Sequence, residues 1–163
     1  MGSRSKIVKD LERAYIAGFL DGDGSLMLQL KKRSDSKRGI RFMATICFYQ
    51  DTRHEKDLYW IRKVLSIGYL SKRKDGMSEL RINGYEQVSS ILELLIPYIR
   101  FKKLQAKSLR DACEMLSTTK FKMLNKRQII QLVSCILVIQ GNNYATKKKK
   151  TGEELYAMLG LTP

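Results

Sequence analysis

Along the first third of the chain the apolar positions change period. Leu11, Ala14, Tyr15, Gly18, Phe19 and Gly22 recur three and four residues apart, which predicts a helix over 10–21, closed by the polar turn Asp21-Gly22-Asp23-Gly24. From 25 to 33 the period is two. Leu26, Leu28 and Leu30 fall on one face, Ser25, Met27, Gln29, Lys31 and Arg33 on the other, the pattern of a half-buried strand. A loop over 34–39 leads to a second strand over 40–50, with Ile40, Phe42, Ala44, Ile46 and Phe48 inward and Arg41, Met43, Thr45, Cys47 and Tyr49 outward. Asp51-Thr52 reads as the cap of a helix reaching about 67. A second hairpin over 69–74 and 79–83 turns at Asp75-Gly76, and helices follow over 85–96, 100–116, 126–140 and 153–159. The order helix, hairpin, helix, hairpin, helix, then further helices predicts an α+β fold in which helices cover one face of antiparallel hairpins.

That architecture leaves a bare sheet face, and its charge gives it a use. The 163 residues carry 31 Lys and Arg against 16 Asp and Glu, a net charge of +15. Such a field suits a polyanion, nucleic acid first. The outward positions Ser25, Met27, Gln29, Lys31, Arg33, Arg41, Met43, Thr45 and Cys47, with Lys72, Lys74 and Arg81 of the second hairpin, form the candidate DNA-reading surface. A strand ribbon fits the major groove, where Gln and Arg match the edges of A and G. An ordinary solvated sheet face would mix signs; residues 31–41 hold six bases and one acid. Lys147, Lys148 and Lys150 supply a further basic segment for the nucleic-acid backbone.

Several classes drop out. No uninterrupted apolar run reaches about 18 residues, so no membrane-spanning segment is expected. Cys47, Cys113 and Cys135 form no CxxC pair and His54 is the one histidine, so no finger-type zinc site assembles. No GxSxG, Walker A or GxGxxG motif points to a small-molecule substrate. The scattered cysteines suit a reducing compartment.

The segment from Ala14 to Gly24 remains. Ala14, Gly18 and Gly22 lie four apart, a stripe of small residues that admits a second backbone. With one such helix per chain, that backbone belongs to a second copy, giving a twofold dimer. Asp21 and Asp23 sit at the helix C-terminus, where an acid is disfavoured by a few tenths to about 1 kcal/mol. A divalent cation on hard oxygen ligands reverses that sign. A plain Asx-type turn is the competing reading. An EF-hand is excluded because Lys32 stands where its bidentate Glu is required.

Residues 16–24, IAGFLDGDG, closely resemble the LAGLIDADG motif of homing endonucleases. The Tyr49-Gln50 pair closing the second strand and the segment PYIRFKKLQA at 97–106 resemble the small, single-motif, homodimeric members of chloroplast-intron type. The resemblance implies the αββαββα fold, its hairpins forming a DNA-binding saddle, in one domain over 1–163 with a core of about 8–117 and extra C-terminal helices over 118–163. It implies that Asp23 binds metal beside the scissile phosphate, with the carbonyl of Gly22 as a further ligand. Gln50 and Lys102 would organise solvent or charge at the cut, and His54 would fill a position that is normally Arg or Lys, with Arg53 as its substitute. It places Ala14, Ala17, Gly18, Asp21 and Gly22 at the dimer axis. The expected activity is Mg²⁺-dependent double-strand cleavage (Mn²⁺ or Ca²⁺ can occupy the same sites), one phosphodiester per strand, leaving 3′ overhangs on a long pseudo-palindromic DNA target in intron homing. The expected locale is organellar. The alternatives are an intron-RNA maturase and a non-cleaving DNA-binding protein of the same fold.

Overall fold

The computed structural model describes residues 2–32, 39–144 and 147–161, and for 2–5 the backbone alone. Arg33 and residues 34–38 of the first hairpin's loop lie outside the described residues. Helix α1 (Gly2–Asp23) is longer at both ends than its apolar periodicity predicts. Residues 6–9 are exposed, so no buried stripe marks the first turns. Once a helix is nucleated, each further residue adds a hydrogen bond without that stripe. At the other end the motif's second acid still belongs to the helix, for reasons given with the site below.

Strand β1 (Gly24–Lys32) follows with no intervening loop. Gly24 makes that junction possible: a Cβ there would lie 2.9 Å from both the Cα and the carbonyl oxygen of Leu20. Strand β2 (Ile40–Asp51) pairs antiparallel with β1, Leu26 opposite Ile46 and Leu28 opposite Ala44. Asp51 does cap the next turn, accepting from the Arg53 N–H. That turn is a 3₁₀ turn over Thr52–His54, and helix α2 (Lys56–Leu65) begins only after it.

Strands β3 (Tyr69–Lys72) and β4 (Met77–Asn83) form the second hairpin, and β4 pairs with β2, so the sheet order is β1-β2-β4-β3. The register of β4 puts Ser78, Leu80 and Ile82 on the core face and Met77, Glu79, Arg81 and Asn83 on the open face. Lys72, opposite Ser78, therefore belongs to the core side, contrary to the sequence expectation. Its Nζ reaches Glu55 Oε1 at 3.1 Å, and Glu55 also accepts from Ser78 Oγ. β3 ends at Lys72, which leaves Lys74 exposed in the turn rather than on a strand.

Helices α3 (Tyr85–Leu95), α4 (Lys103–Thr118), α5 (Lys126–Asn142) and α6 (Gly152–Met158) complete the order. Capping boxes start α5 at Asn125 and α6 at Thr151. Leu26, Phe48, Leu80 and Ile82 of the sheet and Ile16, Leu20, Leu92 and Leu95 of the helices are fully buried in one core, each worth about 1.5–3 kcal/mol of transfer. α5 packs along β1, where Asn143 Nδ2 donates to the Leu26 carbonyl at 3.1 Å. Among the described residues the opposite sheet face carries no helix.

Candidate functional site

The C-terminus of α1 is held from two sides by the segment before α4. The Asp21 carboxylate accepts three backbone N–H groups, from Arg100 (2.6 Å), Phe101 (3.2 Å) and Lys102 (2.9 Å). Lys102 is the N-cap of α4, so the carboxylate also sits at a helix entry, where an anion is favoured. Asp21 thus turns into its own chain, where three N–H donors meet its charge without a metal. The sequence argument for a cation at this position is corrected to that extent.

Lys102 answers from the other direction. Its ammonium lies 2.8 Å from the carbonyl oxygens of Leu20, Asp21 and Gly24, and 3.3 Å from that of Gly22. These include carbonyls that the end of α1 leaves without helical partners, so a lysine 80 residues away caps the helix and lets it run to Asp23. Burial pushes the Lys102 amine below the usual lysine range, and the neighbouring charges of Asp21 and Asp23 oppose that shift. Three ammonium protons satisfy the three short contacts, which leaves the Gly22 oxygen the least engaged.

Asp23 is different. It is exposed, and no hydrogen bond to its carboxylate occurs among the described residues. It opens into a groove of about 660 Å³ that also receives Lys102, Ser25, Tyr49, Met77 at the start of β4 and, from the β3–β4 turn, Arg73 and Asp75. A free carboxylate beside an under-used carbonyl is a hard-oxygen pair that fits Mg²⁺, which takes one or two carboxylates and fills its other positions with water and phosphate. Among the described residues no group of three His, Cys, Asp or Glu gathers as a dedicated all-protein metal cage.

Of the expected catalytic set, the structure brings Asp23, Gly22 and Lys102 together and leaves Gln50 and His54 outside the groove. Gln50 Oε1 accepts from the N–H of Asp51 at 2.8 Å. His54 is exposed in the 3₁₀ turn. Arg53, its proposed substitute, is held in a two-pronged pair with Asp51, Nε to Oδ1 at 3.0 Å and Nη2 to Oδ2 at 2.8 Å. That guanidinium holds the Asp51 carboxyl well below the usual range.

On the open sheet face Ser25, Met27, Gln29, Lys31, Arg41 and Met43 line up as the alternation predicts. Lys31 stands directly opposite Arg41, both exposed, a cross-strand pairing of like charges that is destabilising on its own. An anionic partner relieves it. Thr45 and Cys47 share this face but are 1% and 0% exposed, so their place in a contact surface is corrected. Thr45 Oγ1 donates to Asn83 at 2.7 Å, and Cys47 lies under Glu79. Arg81 is half-buried and paired with Glu79, an acid the sequence reading passed over. Alternation did place Glu79 on this face; its sign, opposite to its neighbours, was the available signal. Lys148 and Lys150 border a groove of about 480 Å³ against Lys31 and Lys32 of β1, and Lys147 is exposed beside them.

The outer face of α1 offers Leu11 and Tyr15, both exposed, in line with Gly18 and Gly22, where an added Cβ would meet nothing within 4 Å. Ala17, expected at the same seam, is 0% exposed and belongs to its own core.

The fold and this groove define an α+β protein with an open, basic sheet face and an acid-tipped helix. The family model for the LAGLIDADG endonuclease matches residues 16–115, and the chain belongs to that family. Its class of activity is that of an endonuclease acting on DNA. It is 34% identical over 110 residues, 68% of either chain, to the DNA endonuclease I-CvuI of Chlorella vulgaris. To the DNA endonuclease I-CreI of Chlamydomonas reinhardtii it is 25% identical over 145 residues, 89% of this chain and 86% of that one. The crystal structure of I-CvuI in complex with its target in the presence of 2 mM Ca superposes with a TM-score of 0.77 at 26% identity, covering 96% of this chain and 99% of that one.

Proposed function

We propose that the chain is a homodimeric, divalent-metal-dependent homing endonuclease that cuts one phosphodiester on each strand of a long pseudo-palindromic DNA site, leaving 3′ overhangs. The observation that carries this is the contrast between neighbours at the end of α1. Asp21 and most of the terminal carbonyls are satisfied within the chain, whereas Asp23, two residues on, is exposed beside the loosely held Gly22 oxygen. A fold that neutralises everything around one acid and leaves that acid open has reserved it for a ligand from outside.

The stripe Leu11, Tyr15, Gly18 and Gly22 supports a second copy packed helix to helix, with Ala14 beside it. Twofold symmetry then sets two Asp23 tips side by side and joins two open sheet faces into one saddle. Asp23 and the Gly22 carbonyl would hold the ion. When bound, Mg²⁺ activates water and offsets charge on the attacking and leaving oxygens. Lys102 fixes the helix end, so the acid tip keeps its position while the backbone is strained. Its ammonium adds positive potential where the phosphate gains charge. Lys31, Arg41 and the 147–150 segment neutralise phosphates, and Gln29 with its strand neighbours reads base edges. Gln50 at the end of β2 and His54 in the turn after it would organise solvent or charge beside the cut. We propose an organellar origin on the strength of relatives from two chloroplast-bearing algae.

The test is Asp23→Asn. The variant is expected to keep its fold and its specific binding in Ca²⁺ while cleavage in Mg²⁺ falls below detection. Cleavage within about tenfold of the parent would refute the assignment.

A further inference from the structure

Four strands contribute residues to one row across the open face. Ser25 of β1 lies opposite Cys47 of β2, Cys47 opposite Arg81 of β4, and Arg81 opposite Tyr69 of β3. In the adjacent row Tyr49, Glu79 and Ser71 line up. A carboxylate has no obvious place on a surface built to meet phosphates, yet Glu79 is 6% exposed and fully occupied. Its Oε2 accepts from Arg81 Nη2 at 3.1 Å, and its Oε1 lies 2.7 Å from Arg81 Nε in an ion-pair contact to which the Nε–H is not aligned as a hydrogen bond. Ser71 Oγ donates to Oε1 at 3.1 Å, and Cys47 Sγ to Oε2 at 4.0 Å.

The atoms used decide what Arg81 has left. A guanidinium offers two forks, one through Nε and Nη2 and one through Nη1 and Nη2. Glu79 sits against the first, bonded through Nη2 and in ionic contact with Nε. Nη1 makes no hydrogen bond among the described residues and the side chain keeps 35% of its surface exposed, so the second, end-on fork is open. Two parallel N–H donors spaced in this way match the O6 and N7 acceptors of guanine in the major groove. A free arginine on this surface would also find phosphates, because its reach and rotamer freedom are large. A clamped one loses that freedom before binding, which turns a general cation into a directed pair of donors.

We infer that Arg81, held by Glu79, is a specificity-determining residue that selects guanine at one position of each half-site, with Glu79 as its positioning residue. This rests on the proposed function above. The row also locates the base. Arg81 lies two inter-strand spacings from Ser25, roughly 10 Å or about three base-pair steps, and Ser25 is two residues from Asp23. The selected guanine therefore lies among the central base pairs that flank the cut bonds, and the distal pairs fall to Lys31 and Arg41.

The experiment is selection of bound duplexes from a library randomised across the site, in Ca²⁺, with the full-length protein and the variants Arg81→Lys, Arg81→Gln and Glu79→Gln. The parent is expected to enrich guanine at one central position of each half-site, by roughly ten- to a hundredfold over other bases. Arg81→Lys keeps the charge and loses the fork, so it should lose that preference alone and retain the salt dependence of binding. Glu79→Gln should flatten preference at the same position to within a few-fold, with other positions unchanged. A uniform loss of affinity across sequences in Arg81→Gln, with a salt slope shallower by about one, would make Arg81 a phosphate contact and overturn the inference. So would an unchanged guanine preference in Arg81→Lys. A parent that enriches no sequence at all defeats the proposed function itself, a result distinct from either of these.

Discussion

Two aspartates stand two residues apart in one motif, and their environments set them opposite tasks. Replacing Asp21 by Ala removes the acceptor of three backbone N–H groups at the entry to α4. A hydrogen bond is worth about 0.5–1.5 kcal/mol net, and two of these three donors are exposed to water, so about 1 kcal/mol applies to each. The three together come to about 3 kcal/mol. Loss of an anion at a helix N-terminus adds roughly 0.3–1 kcal/mol. For a chain of this length each kcal/mol is about 2–4 °C, so the melting temperature should fall by roughly 6–16 °C. Asp23→Ala removes no hydrogen bond found in the structure and should shift it by no more than about 2 °C. The assay is thermal unfolding by circular dichroism, with urea titration as a check that the change is in midpoint rather than slope. Equal shifts for the two variants, or a fall of under about 2 °C for Asp21→Ala, would refute the clamp and return Asp21 to the dimer seam.

Gly18→Leu meets no atom of its own chain and exchanges a poor helix former for a good one, so an isolated chain should gain about 0.8–1 kcal/mol. If a second copy packs there, sedimentation will instead show monomers that bind DNA poorly; a tight dimer with raised stability would exclude the seam. Lys102→Met leaves the carbonyls of Leu20, Asp21 and Gly24 without their charged donor, and stability should fall by about 2 kcal/mol in urea, with the end of α1 fraying in hydrogen exchange; undiminished protection there would count against the cap. Burial pushes the Cys47 thiol up to about 11 and the Cys113 thiol up to about 12. The folded chain therefore holds these protons more tightly than the unfolded one. Their contribution is complete below about 9 and is lost as pH rises through those values, each adding a slope of about −1.4 kcal/mol per pH unit. Cys113→Ala should flatten the decline measured by urea melts between pH 9 and 10.5, and an unchanged slope would contradict the burial assignment.

The elements built on local periodicity were legible in the sequence. Leu26, Leu28 and Leu30 alternate because one face of β1 is buried and the other is not, and that difference is written into consecutive residues. Asp23 was legible for the same reason, since the motif that carries it is continuous. What could not be read depends on who sits opposite whom. Lys72 looks identical to Lys31 in sequence, but the register of β3 on β4 turns it to the helix side and onto Glu55. Cys47 and Thr45 keep the outward parity and are still buried, because Glu79 and Asn83 of a strand more than 30 residues on cover them. Ala17 fits the small-residue seam in composition but lies one position from it in helical phase. The Asp21 clamp joins segments about 80 residues apart, and no local pattern encodes that meeting.

The sheet's two outer strands are each protected. β3 is four residues long and ends in Lys72, while β1 is lined by α5 and tied to Asn143 through the Leu26 carbonyl. Short, charged or covered margins deny a stray chain the row of free backbone groups it needs to add itself as another strand. The broad uncovered face can therefore stay open in solution without drawing copies into fibres, which lets it stand ready in its binding shape and spares it a folding step at each encounter with a target.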